Sequence, residues 1–124
     1  MRLRSAVLLA LLPCLPLSTV AQEKTGAEVY ETVCSDCHGT GKHDAPVFGD
    51  QKRWGKLVRE GLNDLVPAAL RGIRKMPAMG GNPALTDLEV ARAVVYMANA
   101  GGGKFAEPTA TDAARWRKKA GARK

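Results

Sequence analysis

Five consecutive residues, Cys34-Ser35-Asp36-Cys37-His38, carry the strongest chemical signal in this chain. Two thiols three positions apart lie near the edge of one helical turn, and each can add to a vinyl group of a porphyrin. The adjacent histidine then falls beneath the ring with a nitrogen aimed at iron. The spacing therefore reads as the attachment site of one haem c, with Cys34 and Cys37 as thioether sulfurs and His38 as an iron ligand. Other uses of Cys-x-x-Cys fit less well. A disulfide oxidoreductase would set the pair in a βαβ unit, and no strand pattern is visible. Cys34 to Gly41 also matches Cys-x-x-Cys-x-Gly-x-Gly, a chaperone zinc repeat, but the remaining cysteine, Cys14, cannot complete four ligands.

One iron position stays open opposite His38, and Met76 is the residue expected to fill it. Pro77 pushes Met76 toward an extended backbone, and the nearby glycines let the loop approach a flat ring closely. A thioether ligand stabilises the reduced iron and suits an electron carrier. Met79 is the rival in the same loop. Met97 is expected in the core of the last helix, and His43 on the surface.

The elements that must position these residues are helices. Thr25 and Glu28 have capping-box spacing ahead of a first helix from about Gly26 to Cys34. A Gly-, Pro- and Asp-rich loop, Gly39 to Asp50, needs support from outside itself. Trp54 to Glu60 suggests a short helix ended by Gly61. Asp64 suggests the cap of another, with Pro67 in its first turn and Gly72 just past its end. Thr86 and Glu89 repeat the capping-box spacing before an apolar face of Val90, Val94 and Met97, and Gly101 to Gly103 stop that helix. The expectation is an all-α fold, about four short helices around one covalently attached haem. So small a core needs such a staple.

The flanks look different. Arg2 and Arg4, an apolar run from Ala6 to Leu12, and Thr19-Val20-Ala21 read as a cleavable export signal over 1–21. Cys14 falls inside it and is assigned no role. The haem-binding domain is then expected over 22–103, followed by a basic tail, 104–124. The chain's formal charge of +7 is unevenly spread. Between Gln22 and Gly103 ten Lys or Arg balance ten Asp or Glu, whereas from Lys104 onward seven cations face two acids. A near-neutral domain with a charged end is not the footprint of a nucleic-acid binder. Pro108, Thr109 and Thr111 can start a short helix holding Trp116 among Arg115, Arg117, Lys118 and Lys119. We read this segment as a solvated, frayed terminus, with docking to an acidic partner or anionic membrane as the alternative.

Along the domain the residues resemble class I cytochromes c, and specifically the bacterial cytochrome c5 family. The resemblance runs through Gly26, Val29 and Tyr30, then Cys34, Cys37 and His38, Ala45-Pro46, Phe48-Gly49-Asp50 and Trp54. It closes with Met76-Pro77, Gly80-Gly81-Asn82, Leu85-Thr86-Asp87 and the helix bearing Tyr96-Met97. It implies that the Pro46 carbonyl orients His38, that Gly26 and Tyr30 meet Tyr96 where two helices cross, and that Trp54 donates its indole N–H near a haem propionate. The family often places an arginine three residues after the tryptophan; Leu57 stands there, leaving Lys56 and Arg59 as alternatives. What the resemblance implies is a non-catalytic electron carrier. It would be exported to the periplasm, monomeric, and would pass single electrons between redox protein partners with no small-molecule substrate. A dedicated subunit of a periplasmic oxidoreductase is the alternative, and a haem sensor with an open iron site is a more distant one.

Overall fold

The computed structural model describes residues 13–16 and 22–123. The signal expected over 1–21 therefore lies outside the described residues apart from 13–16, where Cys14 is exposed. The described residues form helices, two 3-10 turns and one isolated bridge, Ile73 to Met76, with no strand among them. None of these helices is long and apolar enough to cross a membrane.

The chain enters through the capping box read from the sequence. Thr25 Oγ1 accepts from the Glu28 amide at 3.2 Å while Glu28 Oε2 accepts from the Thr25 amide at 2.7 Å. Helix α1, Gly26–Val29, continues into a π-helical turn, Tyr30–Cys34, and then α2, Ser35–His38. The wide turn is marked by the Ser35 amide reaching back to the Tyr30 carbonyl. An inserted residue of this kind rotates the next turn around the helix axis, and the turn so rotated carries the Cys-x-x-Cys-His run. The first helical stretch thus extends four residues beyond the expected Cys34 end, to His38.

Helix α3 is Gln51–Glu60 and α4 is Leu62–Arg71. Both begin earlier than expected. Asp50 caps α3, its Oδ1 accepting from the Lys52 and Arg53 amides at 3.1 and 3.2 Å, so the helix starts before Trp54. Gly61, with φ near 85°, ends α3 and opens α4 at once, placing Asp64 inside the first turn rather than at the cap. Helix α5, Asp87–Ala100, starts at Thr86 as expected.

Gly26 lets α1 cross α5 at close range: a Cβ there would collide with the Arg92 carbonyl, with Tyr96 beside it. Tyr30, Phe48 and Tyr96 stack around this crossing, with ring centroids 4.5 to 5.6 Å apart. Gly101 plays the same part for α3, since a side chain there would overlap Trp54. After α5 the chain reverses through the glycines, and Asn99 fixes the return by pairing with both backbone groups of Phe105 at 2.8 and 3.0 Å.

The segment expected to be a frayed terminus is instead a helix, α6, Ala110–Ala120. Thr109 and Asp112 form its capping box. Ala113 and Trp116 are buried, Trp116 in one core cluster with Val66, Leu70 and Val90. Its cations are largely spent at home: Arg115 on Asp112, Arg117 on Asp87 and Lys119 on Asp64. Counting net charge missed that these acids lie in space beside the segment. The four expected helical regions are joined by this further one.

Candidate haem site

Each predicted ligand is carried by an element that constrains it. His38, at the end of α2, is buried, and its Nδ1 lies 2.9 Å from the Pro46 carbonyl oxygen. A proline carbonyl can only accept, so Nδ1 bears a proton, and in the neutral ring Nε2 keeps its lone pair. Nε2 makes no hydrogen bond to a described residue. The ring is thus oriented by one nitrogen with the other left for a metal, the usual arrangement around a ligating histidine.

The loop from Gly39 to Asp50 is held from outside, as its composition requires. The Phe48 amide donates to the His38 carbonyl at 2.6 Å. Arg53 grips Asp44 twice, on Oδ1 and on the backbone carbonyl, both at 2.9 Å. This brace supports His43 and Asp44, both at positive φ, and His43 is exposed as expected. The indole N–H of Trp54 donates to the Val47 carbonyl at 3.1 Å. In this structure the single N–H of Trp54 secures the loop, whereas the resemblance implies a propionate as its acceptor. Its ring stands 6.1 Å from that of His38 and walls the histidine instead. Lys56 and Arg59 are exposed on the same helix.

Cys34 and Cys37 are free thiols. Burial, with Cys37 as a lesser cause, pushes the Cys34 thiol up to about 11, so it carries its hydrogen near neutral pH. Met76 is half-buried and lies in a tight turn, its amide and carbonyl both paired with Ile73 at 2.8 and 3.0 Å. Gly72 permits this turn: at φ 86° it brings the backbone against Ala78 and Met76 where no side chain would fit. The 3-10 turn Ala78–Gly81 comes next, and Gly80 meets Val33 on the π turn. Met79, the rival ligand, is buried at a φ of 60°, and its sulfur receives Arg117 Nη2 at 3.3 Å. Met97 lies in the core of α5 as expected.

These residues fit a haem better than any other group. The apolar core is divided into two clusters, one around Leu70 and Met79, the other around Tyr30, Trp54 and Met97, and Cys34 packs against both. Val33, Leu57, Val58, Leu62, Leu65 and Met76 remain only partly buried around them. A flat apolar ring tied to Cys34 is the kind of group such a divided core takes. A zinc centre is not built, since no three His, Cys, Asp or Glu side chains gather among the described residues. The sequence pointed to most of this set; it did not reveal Arg53, Val47 or Arg117. The Asp50 cap was a legible signal that α3 begins early enough to carry Arg53.

The family described as "Cytochrome C oxidase, cbb3-type, subunit III" matches residues 21–97. The chain belongs to this family of c-type cytochromes. Cytochrome c-555 of Chlorobaculum tepidum is 41% identical over 76 residues, covering 58% of this chain and 70% of the relative. Cytochrome c5 of Azotobacter vinelandii is 33% identical over 76 residues, covering 60% and 92%. A solved structure, described as "Crystal structure of electron transfer complex of nitrite reductase with cytochrome c", contains a chain 32% identical to this one, with a TM-score of 0.60. The similarity covers 64% of this chain and 99% of that one. The chain is a class I c-type cytochrome of the c5 kind. As in that family, its cofactor is covalently attached haem c, and its function is electron transfer rather than catalysis. The family match ends ahead of α6.

Proposed function

We propose that this cytochrome is an exported, diffusible carrier of single electrons, with haem held at Cys34 and Cys37 and iron ligated by His38 Nε2 and Met76 Sδ. The carrying observation is the His38 ring, oriented by the Pro46 carbonyl at 2.9 Å and leaving one nitrogen unengaged beside two free thiols. When bound, the group supplies a reversible one-electron Fe(III)/Fe(II) couple. The chain's part is to attach, ligate and shield it. Cys34 and Cys37 would hold the haem through thioethers, each S–H adding across one vinyl double bond, sulfur to one carbon and hydrogen to the other, with nothing released. Two ligands that stay bound in both oxidation states keep the rearrangement on electron transfer small. The half-buried apolar residues around the divided core exclude water and raise the potential.

Residues 1–21 act as the export signal, cleaved after about Ala21, and deliver the chain to the periplasm, where haem attachment occurs. Residues 22–103 make up the cytochrome domain, and 104–124 add α6 to it. The partners are redox proteins. The similar cytochrome c crystallised in an electron-transfer complex with nitrite reductase supports a partner of that kind. The family description, an oxidase subunit, favours one second reading: a dedicated subunit of a larger oxidoreductase.

Intact mass of the denatured, exported protein tests the attachment. The expected species is the chain from Gln22 plus one haem. The Cys34→Ala/Cys37→Ala variant should lose the haem in denaturant. Haem that comes away from the wild type under denaturing conditions would rule out the thioethers. Size-exclusion of an unpurified periplasmic extract separates the two readings: a free carrier elutes at its own mass, a subunit with its complex.

A further inference from the structure

Helix α6 lies beyond the family match and yet reaches the loop that carries the proposed ligand. Arg117 is the residue that reaches. Its Nε and Nη2 clasp Asp87 at 2.9 and 2.8 Å, and Nη2 also lies 3.3 Å from the Met79 sulfur. The Arg117–Asp87 pair is largely shielded, with side chains 18% and 24% exposed, where a two-pronged charge-assisted bond is strong. Arg123 adds to the same node, donating to the Leu85 carbonyl at 2.6 Å, with Asp87 at 3.6 Å and the Met79 sulfur at 3.8 Å. Two guanidinium groups, that of Arg117 the closer to both partners, thus join the head of α5 to the middle of the loop between Met76 and Asn82. That loop contains Met79 and three consecutive positive-φ residues through Gly81, a backbone that needs external support.

We propose that Arg117 is a positioning residue for the iron-ligand loop, holding it in one conformation through Asp87 and Met79. It keeps the Met79 sulfur engaged and leaves Met76 as the thioether free for iron. Trp116, one residue earlier, anchors the helix by burying its ring and donating to Asn63 Oδ1 at 2.8 Å. The fifth helical region is therefore a clamp on the loop that follows Met76. The proposal rests on Met76 being the ligand.

Imidazole titration of the ferric holoprotein tests it, followed at the weak long-wavelength band of the sulfur–iron bond. A loosened loop spends more time with iron open, so imidazole binds more tightly in proportion to that population. Arg117→Ala should raise the apparent imidazole affinity by about tenfold, and Arg117→Lys should fall between it and the wild type. Lys118→Ala, which removes an exposed cation from the same helix, should titrate as the wild type does. If Arg117→Ala titrates like the wild type, or Lys118→Ala shifts as far, the clamp is refuted. A wild type without the band, or a band that survives Met76→Ala, overturns the ligand assignment, and the clamp falls with it.

Discussion

The imidazole of His38 and the carbonyl of Pro46 meet at 2.9 Å, eight residues apart along a loop whose regular structure is limited to a 3-10 turn, Lys42–Asp44. The contact is possible because Arg53 and Trp54, on the next helix, hold that loop at Asp44 and Val47. The orientation of the proposed ligand His38 is therefore set by a neighbouring helix. Pro46→Ala should retain haem and histidine ligation but lose about 0.4–1 kcal/mol of stability, because the unfolded chain gains freedom. A weaker hydrogen bond makes the imidazole a poorer donor to Fe(III), so the midpoint potential should rise. Chemical unfolding and voltammetry on the same preparation check both; an unchanged potential would separate Pro46 from ligand tuning.

Trp116 separates a docked helix from a solvated tail. Its ring is 4% exposed, so Trp116→Ala should cost about 3–5 kcal/mol. Trp116→Phe keeps most of the packing and loses the bond to Asn63, at a cost of about 1 kcal/mol. A truly frayed terminus would leave both variants within about 0.5 kcal/mol of wild type in denaturant melts.

Asp87 should give the protein an acid-sensitive component. Its hydrogen bond with Arg117 is the leading cause that holds its carboxyl below the ordinary 3.8, against a smaller opposing effect of burial. A carboxyl with a lowered folded value stabilises the fold above the ordinary value and loses that contribution as pH falls through the folded one. Wild type should therefore exceed Asp87→Asn in stability at about pH 6, and the gap should close below about pH 4. A gap that persists unchanged at about pH 2 would assign the effect to packing rather than ionisation.

The legibility of each feature in the sequence depends on the range of its signal. The Cys-x-x-Cys-His run, the Thr25 cap and the glycine stop after α5 are local: neighbours within a turn or two decide them. The early starts of α3 and α4 are harder to read, because Asp50 looks like loop and Gly61 like a stop, yet each also opens a helix. The bond from the Trp54 N–H to the Val47 carbonyl, seven residues back, has no local signal either. The end of the chain was hardest to read. Trp116 is visible as an aromatic among cations, but its partner Asn63, and Asp64, the partner of Lys119, are more than fifty residues away, as Asp87 is thirty from Arg117. No local pattern announces such pairs.

The central claim is that iron sits between His38 and Met76, and the ferric absorption spectrum tests it most directly. Wild type and Met79→Ala should both show the weak long-wavelength sulfur–iron band, and Met76→Ala should lack it. A band that survives Met76→Ala, or that disappears in Met79→Ala, would contradict the account.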